Sequence, residues 1–341
     1  MVTRVYCTYF DHNYMSRGLA LYHSLQRHAP GFRLWVLCLT EACHKALRTL
    51  NLPDLVPCSL AEFEAADAEV AATRPQRSTI EYYFTCTPAW MRFVQKREAD
   101  AEWVTYLDGD LYFYSSPEPI YGELAQASVA IIPHRYTARN MWLKKYGTYN
   151  VGWVGARNDD DGGRVIEWWR QKCIEWCHDY VDGDRFADQG YLDAFCGLSP
   201  RVKIIEHIGA NLAPWNIGHY RIAFEGCEVR VDGRPLIFFH FQGLRKDLGY
   251  FFFNRHRHYR APFSAVTRRY IYKPHVNELL AIEKTTAPIL EVVPAKPHRR
   301  SASIDLKRTL TSAVRRFGHR CYQMLDIVTG RAFLILRGRA Y

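Results

Sequence analysis

The stretch Trp103-Val104-Thr105-Tyr106-Leu107-Asp108-Gly109-Asp110-Leu111-Tyr112-Phe113 decides how this chain is read. Its first five residues are apolar or β-prone without interruption. That pattern specifies a strand buried on both faces, as in a parallel sheet covered by helices. The run stops at two carboxylates one residue apart. A buried strand therefore delivers Asp108 and Asp110 to the sheet's C-terminal edge, where open α/β sheets hold their ligands. Two acids there suit a hard divalent cation. A cation so held bridges phosphates and stabilises negative charge on a departing nucleotide diphosphate. An Asp-x-Asp in an arbitrary loop is a chance pattern; directly after an apolar strand it is a much stronger signal.

The flanking sequence supplies the rest of an α/β order. Val5–Tyr9 reads as a strand, Asp11-His12-Asn13 as a loop, and Leu19, Leu21, Tyr22 and Leu25 as a helix ending near Pro30-Gly31. Leu34–Leu39 is a buried strand, Glu41–Leu50 a helix and Leu55–Cys58 another strand. This β-α-β-α-β order predicts a doubly wound, mainly parallel sheet. Residues 59–80 read as a surface helix and loop. Glu81–Lys96 reads as a helix that Pro88 breaks or restarts. Strands are expected at Val129–Pro133, Val151–Ala156 and Leu236–Phe241, and an amphipathic helix at Val165–Tyr180.

The chain has 341 residues, 48% hydrophobic and 23% charged, enough for one large domain or two small ones with a real core. Aromatics at 14% fit a binder of ring-shaped ligands or simply an aromatic core. The start of the sequence runs into a strand with no secretory pattern, and no apolar run approaches the ~18–20 residues of a membrane span. The ten cysteines are therefore expected as free thiols in a reducing cytoplasm. Cys173, Cys177 and His178 could form a zinc site, but no second ligand pair follows, and Trp168, Trp169, Ile174 and Trp176 favour a packed helix.

Charge is concentrated at one end. From Lys296 to Tyr341 there are eleven Lys and Arg against Asp305 and Asp326, a net of +9 within a total of +10. The expected organisation is a catalytic domain over 1–284, a Pro-rich basic linker over 285–302 and a basic amphipathic tail over 303–341. Ile304, Leu310, Val314, Phe317, Cys321, Leu325 and Val328 recur at helical spacing in that tail. Such a helix suits an anionic membrane surface.

The second chemical signal is His240-Phe241-Gln242-Gly243-Leu244-Arg245-Lys246. A strand-end His240 offers a third metal ligand, Gly243 a tight turn, and Lys246 a cation for phosphate. Together with Asp108-Gly109-Asp110, this stretch resembles family-8 glycosyltransferases, the group of glycogenin and the bacterial lipooligosaccharide galactosyltransferases. His240-x-x-Gly243-x-x-Lys246 is similar to that family's His-x-x-Gly-x-x-Lys motif. Arg92, sixteen residues before Asp108, resembles a donor-contacting arginine, Asn150-Val151-Gly152-Trp153 the strand lining the sugar site, and Asp188-Gln189 the family's Asp-Gln pair. The order and rough spacing hold from about residue 2 to 250. Asp247-Leu248 replaces the family's Pro-Trp after the lysine, which points to a sister family.

The resemblance implies a single α/β domain of the GT-A class. It implies Mn²⁺ or Mg²⁺ on Asp108, Asp110 and His240, with Lys246 at the β-phosphate. Thr8, Tyr9 and Asp11 would line a uridine pocket, with Arg92, Gly109 and Gly243 also on the donor. Asn150, Asp188 and Gln189 would surround the sugar. It further implies a UDP-sugar donor, a glycan or lipid-linked acceptor, and retention of configuration with Asp188 or Gln189 beneath the anomeric carbon. Asp188 as a helix N-cap is the competing reading. Asn211-Leu212-Ala213-Pro214-Trp215-Asn216 and His134-Arg135-Tyr136 are either acceptor contacts or structural turns. Two other functions fit parts of the sequence. A sugar-nucleotide nucleotidyltransferase would need a Gly-rich basic loop where Thr8-Tyr9-Phe10-Asp11-His12 stands. A non-catalytic membrane or nucleic-acid binder would not need the two acids and the histidine, and no nucleic-acid partner is expected.

Overall fold

The structure is a computed structural model, and it describes residues 3–248, 250–290 and 320–341. Strands β1 (Arg4–Phe10), β2 (Phe32–Cys38), β3 (Leu55–Ser59) and β4 (Trp103–Leu107) are followed by a short β5 (Leu111–Phe113). Then come β6 (Val129–Pro133), β7 (Tyr149–Arg157) and β8 (Val202–Ile204). Seven of these form the central sheet in the order β3-β2-β1-β4-β7-β6-β8. β7 alone runs against the others. The expected mainly parallel α/β sheet is what the chain forms.

Strand alternation divides the core. Tyr6, Leu34, Val36 and Leu107 point into one cluster, and Val5, Cys7, Leu37, Val104 and Tyr106 into the other. Burying each Leu or Val contributes roughly 1.5–3 kcal/mol. The helices Met15–His28 and Lys273–Leu290 pack together over the first cluster, Thr79–Arg97 and Asp160–Glu175 over the second. Ser78 and Glu81 form a capping box that fixes the start of Thr79–Arg97. That helix passes through Pro88 instead of breaking. The proline removes one N–H from the ladder, but buried Trp90, Phe93 and Val94 hold the turn that follows it. The helix expected at 165–180 lies at Asp160–Glu175, because Asp159 caps Gly162 N and sets an earlier start.

Three strands, β9 (Ile222–Glu225), β10 (Glu228–Val231) and β11 (Arg234–Pro235), form a ribbon, and β12 (Phe238–His240) pairs with β5. A small sheet follows, β13 (Arg245–Asp247), β14 (Phe251–Phe253), β15 (Phe333–Leu336) and β16 (Arg339–Ala340). Two expectations change here. The linker placed from 285 begins as helix, since Lys273–Leu290 continues with Pro288 in its last turn; residues 291–302 lie outside the described residues. Of the tail, 303–319 also lies outside them. Beyond it, 320–328 is helical and β15 pairs with β14, with Phe333 fully buried. The inward side of 320–328 is polar: Gln323 donates to Asp247 and Asp326 pairs with Arg257. Tyr322, Met324, Leu325 and Val328 face outward. Among the described residues no helix is long and apolar enough to cross a membrane.

Candidate active site

The carboxylates sit where β4 ends. Asp108 O accepts from Leu111 N at 3.1 Å, so a tight turn carries Gly109 and Asp110 and returns the chain into β5. β5 pairs antiparallel with β12, and the register places His240 opposite Leu111. Phe241 N then donates to Asp110 O at 3.0 Å. Antiparallel pairing thus brings the end of one strand to the start of another and seats His240 beside Asp110. β7 works the same way against β4. Its first residues lie at β4's last, and Gly152 O accepts from Asp108 N at 3.1 Å. A register shift between Ile131 and Ile132 marks a bulge in β7, and it places Asn150 at the crevice.

One ligand atom from each of Asp108, Asp110 and His240 lies within 4.8 Å of the others. His240 Nε2 is 3.0 Å from Asp110 Oδ1 and 3.6 Å from Asp108 Oδ2. Tyr14 donates its hydroxyl to Asp110 Oδ2, and Tyr106 donates to Asp108 Oδ1, each at 2.9 Å. Burial, partly offset by His240, pushes Asp108 up to about 6, with Asp110 adding to the rise. For Asp110 burial acts the same way, but the close His240 and the Tyr14 hydroxyl outweigh it and hold the group below its ordinary value.

The imidazole's orientation follows from a chain of amides. Gln189 Nε2 donates to Tyr146 O at 2.8 Å, which turns Gln189 Oε1 toward Asn150 Nδ2 at 3.3 Å. The same Asn150 Nδ2 faces His134 Nε2 at 3.3 Å. His134 Nδ1 faces Thr148 O at 3.2 Å, so Nδ1 carries His134's proton and Nε2 accepts. Burial pushes His134 down to about 3, which keeps it neutral for that role. Asn150 Oδ1 is left facing His240 Nδ1 at 3.2 Å, and it accepts from that N–H. The lone pair of His240 Nε2 then points at the two carboxylates. Three electron-rich atoms converging in a buried site require a cation among them, a proton or a metal ion. Two carboxylates and an imidazole are an ordinary donor set for a divalent metal, so these residues fit one.

The other expected residues divide. Tyr9 reaches the crevice: its hydroxyl shares a hydrogen bond with Thr87 at 3.2 Å, and its ring is 5.5 Å from that of Tyr106. Asp188 lies nearby and is buried. Burial pushes it up to about 7; the Thr87 hydroxyl opposes this and Asp108 adds to it. Asp188 does not cap a helix, because the 3-10 turn Gly190–Ala194 follows Gln189 without a side-chain cap. Asp11 fixes the loop entering the first helix by accepting from Tyr14 N at 2.9 Å. Gly243 has a φ of +71°, the left-handed turn expected of it. Gly109 is not demanded by crowding, since an added Cβ would meet nothing closer than 3.6 Å.

Three residues are placed elsewhere. Thr8 alternates to the opposite face of β1 from Tyr9 and is fully buried. Arg92 faces the helix Asp160–Glu175 and pairs with Glu167 at 3.2 Å. Lys246 pairs with Glu283 at 3.0 Å, because β13 turns its side chain toward the helix Lys273–Leu290. Arg17 is a cation that influences Asp110, and its guanidinium donates to Leu244 O at 2.8 Å.

Sequence reasoning missed Tyr14 and Thr87, and it named Gly152 only as part of the strand Asn150–Trp153, without its packing role. Gly152 leaves space for the imidazole: an added Cβ would lie 2.5 Å from Asn150 Oδ1 and 2.9 Å from His240 Cε1. Tyr106 was legible, since it stands two residues before Asp108 on the same strand. The Asn211–Asn216 segment forms a hydrogen-bonded turn whose Trp215 also lines the crevice. Asn216 Oδ1 accepts from Ala213 N, and Asn216 Nδ2 and Trp215 Nε1 both donate to His134 O. Trp215 still meets His240 edge-on at 5.1 Å.

No protein-family model matches the chain. It is 33% identical over 254 residues to uncharacterized protein YfnF of Bacillus subtilis, covering 72% of this chain and 82% of that one. It is 32% identical over 286 residues to uncharacterized protein YfnD of the same organism, covering 82% and 89%. The chain belongs to the YfnF/YfnD family. Solved structures similar to it include the galactosyltransferase LgtC with donor and acceptor sugar analogues, at TM-score 0.48 and 15% identity over 86% of this chain and 98% of that one. Mouse xyloside xylosyltransferase 1 gives TM-score 0.46 and 13% identity over 71% and 98%.

Proposed function

We propose that this chain is a metal-dependent glycosyltransferase that moves a sugar from a nucleotide-diphosphate donor, a UDP-sugar, to a glycan or lipid-linked acceptor with retention of configuration. The observation that carries this is the convergence of Asp108, Asp110 and the oriented Nε2 of His240 at the C-terminal edge of the sheet. Mn²⁺ or Mg²⁺ held there would neutralise the leaving diphosphate.

The chain's own groups take the remaining tasks. Tyr9 and Asp11 flank the place for the base, with the Tyr83 ring 6.5 Å from Tyr9. Asn150 holds the ligand imidazole while facing the sugar side. Gln189 spends both ends of its amide, on Tyr146 O and on Asn150 and Val151 N. It therefore positions Asn150, and Asp188 is the group of the pair assigned to the anomeric face. Beside them lies a cavity of about 700 Å³ bounded by Asn150, Gln189, Tyr146, Phe186, Trp215 and Tyr259. Its aromatic walls suit sugar rings, and it is the acceptor site in this reading. The basic tail would hold the enzyme on the anionic cytoplasmic face of a membrane, at ~1 kcal/mol per Lys or Arg.

A melting-point screen of UDP, GDP and their hexose conjugates, each with and without Mn²⁺, tests the proposal. A uridine nucleotide that stabilises only with metal, and not in Asp110→Ala, supports it. No shift from any nucleotide in either condition rejects it.

A further inference from the structure

The aromatic cavity does not end at Tyr259. Arg255 and His258 line it and also line a second cavity of about 480 Å³, so the two cavities adjoin at these side chains. The second cavity is strongly basic. Arg245, Arg255, Arg257 and Arg260 all border it; the carboxylates beside them among the described residues are Asp326 and Asp247, the latter 4.0 Å from Arg245. Asp326 is committed to Arg257 at 2.6 Å. Arg255 and Arg260 are exposed and make no ion pair with a carboxylate among the described residues. One wall comes from the helix 320–328 through Tyr322 and Gln323. Gln323 is fixed by its bond to Asp247, 2.6 Å long, so this wall belongs to the folded domain.

Uncompensated guanidinium groups at the mouth of a cavity raise the local concentration of anions and bind carboxylate or phosphate in a forked geometry. We propose that this arginine-lined cavity, adjoining the aromatic one, binds an anionic group, phosphate or carboxylate, carried by the acceptor glycan. The word acceptor rests on the glycosyltransferase reading; the anion site does not. The reacting end of the acceptor lies by Asn150 and Gln189, its ring in the aromatic section, and its charged substituent beside Arg255 and Arg260.

The test uses the full chain with UDP and Mn²⁺ present. Glucose, glucose 6-phosphate and glucuronate are titrated by calorimetry into wild type, R255A/R260A and R255K/R260K. The expected result is that one or both anionic sugars bind at least tenfold more tightly than glucose. That preference falls with added salt, disappears in the alanine pair and largely returns in the lysine pair. Preference for glucose 6-phosphate identifies a phosphate substituent, and preference for glucuronate a uronic acid. Equal binding of all three sugars, or a preference that survives in the alanine pair, overturns the proposal. So does loss of the Mn²⁺-dependent UDP shift in the alanine pair, which would assign these arginines to the donor's own phosphates. If the alanine pair does not fold, the salt dependence of the wild-type preference still decides. Failure of the UDP shift in wild type sinks the glycosyltransferase reading instead and leaves the anion measurement interpretable.

Discussion

Asn150→Leu is the sharpest perturbation of this site, because it leaves all three metal ligands in place. Leucine keeps asparagine's branched shape and number of side-chain heavy atoms, though it is bulkier, and it removes Oδ1, the acceptor 3.2 Å from His240 Nδ1. The buried Nδ1–H loses its partner, and the proton can move to Nε2, the atom that must stay bare to bind a cation. Leaving one buried donor unsatisfied costs about 1–3 kcal/mol. Loss of a hydrogen bond behind a ligand histidine lowers metal affinity about 10–100-fold. The two figures agree, since each tenfold is about 1.4 kcal/mol. Asn150 also serves His134 and Gln189, so the variant should lose folding stability as well. The decisive readout is therefore the Mn²⁺ dissociation constant with UDP present, measured by calorimetry. Trp215, whose ring lies 5.1 Å from His240, gives an independent fluorescence signal. We expect Mn²⁺ affinity to fall 10–100-fold while the bound stoichiometry stays the same. Wild-type affinity in a folded Asn150→Leu would refute the argument that the amide chain sets the imidazole's proton.

Four further outcomes are expected. Gly152→Ala forces a methyl group toward Asn150 Oδ1 and His240 Cε1, and should lower Mn²⁺ affinity at least as much as Asn150→Leu; unchanged affinity by calorimetry would show that β7 yields freely. Asp110→Asn should abolish the metal-dependent UDP stabilisation, which in wild type reaches about 2.7 kcal/mol at a ligand concentration of 100 times Kd. Asp188 has a folded value of about 7 against 3.8 in the open chain, so the folded protein binds more protons between these values and its stability falls as pH rises through them. In metal-free melting curves Asp188→Asn should therefore gain on wild type from pH 4 to 8, by up to roughly 4 kcal/mol; a difference independent of pH would contradict the assignment. Replacing Lys307, Arg308, Arg315 and Arg316 by Gln should remove ~4 kcal/mol of attraction to anionic vesicles, and equal co-sedimentation of variant and wild type would discard the membrane role.

Much of this arrangement was legible because it is local. The apolar run Trp103–Leu107 ending at Asp108 predicts a buried strand and what it delivers, and β1, β2 and β3 follow from the same kind of pattern. Other features depend on pairings that span the chain. Lys246 was expected at the phosphates because it follows His240 in a familiar motif. Its direction is set by β13 pairing with β14 and by Glu283, which no local pattern announces. Arg92 sits on the right helix but on the face turned to Glu167, and one residue of helix phase, about 100°, separates such outcomes. Thr8 and Tyr9 are adjacent in sequence and opposite in space for the simpler reason that strands alternate. The C-terminal residues show what the spacing of apolar residues leaves open. Leu325 and Val328 of the apolar pattern face outward, while 320–328 turns Gln323 and Asp326 inward onto Asp247 and Arg257.

Why the chemistry collects at one point follows from strand direction. In a purely parallel sheet, the residues gathered at the C-terminal edge all come from strand ends, and the strand starts lie at the far edge. A single reversed strand changes this. β7 begins where β4 ends, so Asn150, near its start, reaches the crevice that Asp108 enters from the other direction. The β5–β12 pair repeats the device one layer away and adds His240 opposite Leu111. Two antiparallel contacts in a mainly parallel architecture thus supply the third ligand and the amide that orients it. Asp108 and His240 are 132 positions apart in sequence, and neither contact survives a one-residue slip, which would turn His240 or Asn150 to the opposite face. Gly152 sits where both pairings crowd the same space, and the absence of a side chain there lets the imidazole and the amide meet.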